Sequence, residues 1–260
     1  MSNIYVDDFF LGINSFIHPS AVIRGINGNA KKVVIGDNCY IGESVQIIID
    51  EFTLGDYSKI QHHTNIHGYK PCYIGHNAWV GQYTIIDSIG GVKIGNNCGI
   101  GAHSQLWSHI KYGDIMEGCN FLSEKELLIE DDVWLVGHCI VSPVHIKSKS
   151  MAMVGAVVTK DMEFNQIYAG APAKSISEKI GCQFRNVTLD EKLRTMHEYL
   201  LKYTGDKSKI KVVTQKEQID FIDDISYFNV SDRKYKKTAS KEEIFFMHFL
   251  LPEKAKFTPY

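Results

Sequence analysis

Between Phe16 and Val158 the apolar residues do not keep a helical period; they return every six positions. Ile17 and Val22-Ile23 open the series in "FIHPSAVI". Ile35-Gly36 and Ile41-Gly42, Ile74-Gly75 and Val80-Gly81, and Ile94-Gly95 and Ile100-Gly101 continue it. Ile129 and Leu135, then Ile146 and Ala152, keep the spacing without the glycine. Small or polar residues fill the gaps, as in "GDNCY", "GHNAW" and "GNNCG". Such a unit is too short for a helix and too regular for a sandwich. It predicts a short strand with an aliphatic residue pointing inward, then a tight turn in which Gly, Asn or Asp takes positive φ. Three units make a coil of roughly eighteen residues, and stacked coils form a prism around a continuous aliphatic core.

Solenoids put their insertions on the surface, where loops carry function. Four interruptions stand out: "NGNAKK" (27–32), a compact irregularity in "IIIDEFTLGDYSKIQ", the Gly-rich "DSIGGVK" (87–93), and the longest, from His109 to about Leu128. After Ala173 the pattern ends. "LDEKLRTMHEYLLKYTG" has apolar residues at helical spacing and Gly205 as a stop; "KEEIFFMHFLLP" predicts a short helix ended by Pro252. "KIKVVT", "IDFIDDISYFNV" and "RKYKKTA" predict strands or turns, and the basic run "DRKYKK" a solvated turn. The expected organisation is a β-helix over 1–182 and a small α/β extension over 183–260, which could cap the open end of the helix or contact substrate.

Composition narrows the class. The 260 residues carry a net charge of −2, with 44% hydrophobic and 22% charged residues. No general basic character points to nucleic acid or anionic membrane, and no apolar run is long enough to span a bilayer. The N-terminal stretch lacks the basic and apolar regions of a signal peptide, so a cytoplasmic chain with reduced thiols is expected. The cysteines are scattered without a CxxC pair, and Cys39, Cys98 and Cys139 sit at repeat-like positions, as small buried apolar residues would.

The repeat resembles that of the hexapeptide-repeat acyltransferases, whose fold is a left-handed parallel β-helix; the handedness is implied by the resemblance, not by the spacing. "VKIGNNCGIGAHSQLWSH" is similar to the segment of maltose, galactoside and polysaccharide O-acetyltransferases in which a histidine ends a coil before an excursion. The resemblance implies that His109 is the general base, a role suited to imidazole. It also implies an oxyanion donor that is a backbone amide or an Asn side chain from the neighbouring subunit, with Gln82 or Asp87 in that region as substrate-binding candidates. "VVTKD" (157–161) and "AGAPAK" (169–174) resemble the terminal acetyl-CoA-binding coils. Gly137, Gly155 and Ala156 would let backbone amides approach the pantetheine arm, with Thr159 beside them. Lys160 and Lys174 would meet the phosphates, and Trp134 would pack on the cofactor or fill a coil corner. Glu130, Val136, Lys147 and Met153 stand where the family has glycine. Acetyl-CoA as co-substrate, a homotrimer with sites between subunits, and a sugar or glycan acceptor are implied in the same way. Trp107 would wall the pocket.

"SKIQHHTNIHGYKPCYIGHNAWVGQYTIID" is similar to γ-class carbonic anhydrases on the same scaffold. His67 falls at their first zinc ligand, but Gln82 stands at the second and no histidine at the third. A catalytic zinc needs three protein ligands, so no metal is expected, and His67 is assigned instead to the acceptor pocket. O-acetyl transfer to a sugar hydroxyl is the leading expectation. N-acyl transfer to an amino sugar or antibiotic needs the same base, and a non-enzymatic scaffold is the remaining alternative.

Overall fold

A computed structural model describes residues 3–260. The chain divides into two compact units, the first ending at Phe184 and the second running Arg185–Tyr260. In the first unit the strands stack into three sheets, of nine, seven and seven strands among the described residues, in parallel except for the terminal Lys174–Ser175 of the nine-stranded sheet. The chain visits them in strict rotation. Ile41, Ile60, Val80, Ile100, Leu135 and Ala152 point inward from the first face. Ile23, Ile47, Ile66, Ile86, Leu106, Val141 and Val158 do so from the second. Ile35, Leu54, Ile74, Ile94, Ile129 and Ile146 do so from the third. These side chains form one continuous core with Cys39, Cys98 and Cys139 at its corners. The architecture is a left-handed parallel β-helix built of hexapeptide repeats.

The coil length departs from eighteen. Steps from the first face to the second, and from the third to the first, are six residues throughout, as from Val80 to Ile86 and from Ile94 to Ile100. The step from the second face to the third varies. It takes twelve residues from Ile23 to Ile35, seven from Ile47 to Leu54, and eight from Ile66 to Ile74 and from Ile86 to Ile94. It then takes twenty-three from Leu106 to Ile129 and five from Val141 to Ile146. Coils are therefore twenty residues long from Ile60 to Val80 and from Val80 to Ile100, and seventeen from Leu135 to Ala152. All four interruptions lie along this one edge. The longest leaves the prism after Leu106 and returns at Leu127, its base pinned by antiparallel pairing of His109–Ile110 with Ser123–Glu124.

The turn glycines serve a different purpose from the expected one. Positive φ falls on Asn38, Asn77 and Asn97, at 56°, 57° and 63°, not on Gly36, Gly75 or Gly95. Those glycines are required by close stacking. A Cβ on Gly95 would lie 2.4 Å from Asp131 Oδ1, and one on Gly101 2.1 Å from the carbonyl oxygen of Val136 in the next coil.

The second unit holds a four-stranded sheet in which Ile210–Val213 and Ser226–Asn229 run parallel, Lys234–Tyr235 antiparallel to them, and Thr258–Pro259 at the edge. Two helices accompany it. Leu189–Lys202 is started by a capping box between Thr188 and Glu191, and Lys241–Leu250 by Ser240. Phe228, Tyr235, Phe246, Met247 and Leu250 are buried. The basic run is not a simple solvated turn. Lys236 is buried, and its ammonium donates to the carbonyl oxygens of Asp220 and Asp223 and to the Asp223 carboxylate.

That contact holds the Asp223 carboxyl down at about 2, with the Lys236 hydrogen bond as the main cause. A carboxylate with a depressed pKa stabilises the fold above its unfolded value and loses that contribution as pH falls through the folded one. Asp223→Asn is therefore expected to lower the melting temperature at neutral pH. The gap to the unsubstituted protein should close between about pH 4 and pH 2. Melting curves across that window check it; a gap independent of pH would refute the pairing.

Among the described residues no helix is long and apolar enough to cross a membrane, and no group of three or more potential ligands could hold a metal ion.

Candidate active site

The variable edge gathers the polar chemistry. Ile48, His67 and Asp87 are in register at the ends of successive second-face strands, and Trp107 follows in the next coil. Twenty-residue coils bring these positions together, and the outgoing excursion adds Ser108 and His109.

Asp87 is completely buried. One of its oxygens, Oδ2, accepts three hydrogen bonds: from the backbone N–H of Ser108 at 3.0 Å, from the Ser108 hydroxyl at 3.0 Å, and from His109 Nδ1 at 2.7 Å. The Ser108 hydroxyl in turn accepts from the backbone N–H of Gly90 at 2.8 Å. Gly90 is needed there, because a Cβ would come within 2.2 Å of the Ser108 carbonyl oxygen. The carboxylate therefore fixes both the backbone that carries His109 and the ring itself.

The consequence for His109 follows from the proton count. A carboxylate only accepts, so His109 Nδ1 carries the hydrogen, and in a neutral ring the lone pair falls on Nε2. The ring is one-fifth exposed and leans edge-on to Trp107, with centroids 6.3 Å apart. The arrangement is a histidine oriented by a buried carboxylate, a geometry that would suit a general base because the anion would also stabilise an imidazolium.

Asp87 thus stands behind His109 with no part of it exposed, so, contrary to the expectation from the sequence, it is not placed to touch a bound substrate. His67 lies on its other side, with Nε2 3.6 Å from Asp87 Oδ1 and Nδ1 2.8 Å from Asn65 Oδ1. Gln82 is not part of this cluster. It sits in the turn between the first and second faces, at the opposite end of its strand from Asp87, beside Tyr83. The expected cofactor residues divide among four places. Thr159 and Lys160 follow the last second-face strand on the same edge as His109; Thr159 is two coils above Trp107, about 10 Å by strand spacing. Gly137, Gly155 and Ala156 occupy the edge between the first and second faces, and Gly155 has open space where a Cβ would be. Trp134 projects from the first face, 46% exposed, over Gly99. Lys174 lies on the short strand that pairs antiparallel with Ile167–Ala169.

Ser108, Gly90 and Asn65 belong to the cluster although no motif marks them. "WSH" itself holds a signal: a hydroxyl residue beside the candidate base at the exit of a coil can bond whatever orients that base.

No family model matches the chain. The bifunctional protein GlmU of Anaplasma marginale (strain Florida) is 34% identical over 105 residues, which are 38% of this chain and 22% of that protein; the chain thus spans about a fifth of the curated relative it matches. Among solved structures, a serine-to-cysteine mutant of AntD, an N-acyltransferase from Bacillus cereus, in complex with dTDP-4-amino-4,6-dideoxyglucose and coenzyme A, is similar with a TM-score of 0.51 at 16% identity, over 74% of this chain and 89% of that one. The polySia-specific acetyltransferase NeuO is similar with a TM-score of 0.36 at 19% identity, over 76% and 99%. The chain shares with that N-acyltransferase the left-handed β-helix fold built of hexapeptide repeats.

Proposed function

We propose that this protein is an acetyl-CoA-dependent acetyltransferase acting on a sugar hydroxyl, with His109 as the general base. The observation that carries the reading is the buried Asp87 bonded to His109 Nδ1 at 2.7 Å, because it presents a lone pair at Nε2 on the edge where the coils vary. In the reaction, Nε2 takes the proton of the acceptor hydroxyl as its oxygen bonds to the thioester carbonyl carbon. The carbon–sulfur bond then breaks, and the proton passes from His109 to the departing thiolate, giving the ester and free coenzyme A. A backbone amide serves the oxyanion.

Acetyl-CoA fits along the terminal coils. Thr159 and Lys160 share the edge of His109, and Lys160 and Lys174 provide cations for its phosphates. Gly137 and Gly155 sit on a different edge. A homotrimer would bring that edge of one copy toward the His109 edge of another, so we assign the sites to the clefts between subunits. The acceptor then meets His67 and Trp107. A second reading, N-acyl transfer to an amino sugar, draws support from the likeness to AntD and needs the same base. The test is transfer of labelled acetyl from acetyl-CoA to matched hydroxyl and amino sugars. Ester formation supports the proposal, amide formation alone favours the second reading, and no transfer to either class overturns both.

A further inference from the structure

The hydrogen bonds on Asp87 are one-sided. All three donors converge on Oδ2, and the buried Oδ1 accepts none. Leaving a buried carboxylate oxygen without compensation is costly. Nε2 of His67 lies 3.6 Å from Oδ1, an ion-pair distance. The other nitrogen of that ring is also committed. His67 Nδ1 is 2.8 Å from Asn65 Oδ1, while the amide nitrogen of Asn65 is directed to Gln46 Oε1 at 3.5 Å. Each ring nitrogen of His67 thus faces an oxygen that can only accept, Nδ1 within hydrogen-bond distance and Nε2 across 3.6 Å, so a ring carrying hydrogen on both nitrogens would be matched on both sides.

We propose, resting on the base assignment for His109, that His67 is the positioning residue of the site. As an imidazolium it supplies the countercharge for Asp87 Oδ1, locks the carboxylate plane, and so keeps Oδ2 on His109. One buried carboxylate is shared between a charged histidine that holds it and a neutral histidine that works through it. The rest of the edge does not compete for this role. Ile48 is the in-register neighbour of His67 on the far side. Lys70 and Lys111 are both held by Glu124, Asp50 by Lys31, and Arg24 by the carbonyl oxygens of Gly25 and Ile26.

The arrangement demands opposite protonation states of the two histidines, and that is testable. The pH profile of kcat/KM should be bell-shaped, with an acidic limb from His109 losing its proton and a basic limb from His67 losing one. In His67→Gln, whose amide can offer an N–H toward Oδ1 at every pH, the basic limb should vanish while KM for acetyl-CoA holds. Asn65→Leu, which removes the second acceptor of the cation, should move the basic limb to lower pH. A basic limb unchanged in both variants would overturn the proposal. A readout independent of turnover separates this from failure of the base assignment. Nitrogen-15 spectra of the imidazoles in the full-length protein should show His67 doubly protonated and His109 protonated only at Nδ1 at neutral pH. His67 observed as a neutral ring would overturn the proposal even in an active enzyme. His67 observed as a cation in a protein without transferase activity would leave the pairing standing and remove the function.

Discussion

His109→Ala is expected to lower kcat by on the order of 10²-fold or more while leaving the β-helix and acetyl-CoA binding intact. The side chain is at the exit of a coil and only one-fifth exposed, but it contributes nothing to the aliphatic core. Its removal leaves Asp87 Oδ2 with both Ser108 donors, so the anion is still satisfied and the backbone still held. The loss should therefore appear in kcat and kcat/KM together, with little change in KM, as expected when an interaction is made only in the transition state. Calorimetric titration of coenzyme A and steady-state transfer on the same preparation check both halves. Transfer at an undiminished rate would remove His109 from the chemistry. Loss of coenzyme A binding would show instead that the residue shapes the cofactor site.

The prism is legible in the sequence because an aliphatic residue every six positions has no competing explanation, and the core side chains at those positions are buried without exception from Ile23 to Val158. His109 is legible because the repeat stops there. Asp87 is visible as a residue of the right neighbourhood but not as the partner of His109, and the reason is register. An eighteen-residue coil would set Asp87 beside Tyr69 and Gln105. Two extra residues at the variable edge set it beside His67 and Trp107. The lengths of the turns, countable once the inward positions are fixed, carry that information. The glycines are ambiguous for a related reason: tightness between coils and positive φ both select glycine, and only geometry separates them. Lys236 shows the same limit in the second unit, where a run of charges hides one cation folded inward onto Asp223.

Asp87→Asn should test the central contact most sharply. Ser108 N–H, the Ser108 hydroxyl and His109 Nδ1 all point at one oxygen. The asparagine is expected to turn its carbonyl toward them and its amide toward His67. The His109 tautomer then survives, but the negative charge that stabilises the imidazolium in the transition state is gone. A fall in kcat on the order of 10²-fold or more is expected, by analogy with the loss when the orienting carboxylate of a catalytic histidine is neutralised. KM should change little. The melting temperature should fall less than in Asp87→Ala, where the Ser108 and His109 donors lose their acceptor altogether, at a cost of about 1–3 kcal/mol for each buried group left unpaired. The two variants separate the roles. If Asp87 serves structure alone, the asparagine variant should be nearly as active as the original protein and only the alanine variant should be impaired. If it serves catalysis, both lose activity and only the alanine variant also loses substantial stability. Because His67 would then face an amide that cannot balance its charge, Asp87→Asn should also abolish the effect of His67→Gln on the basic limb. A double-mutant cycle on kcat/KM should show coupling between the two positions; strict additivity would mean that the two residues act independently and that the shared carboxylate is not the link between them.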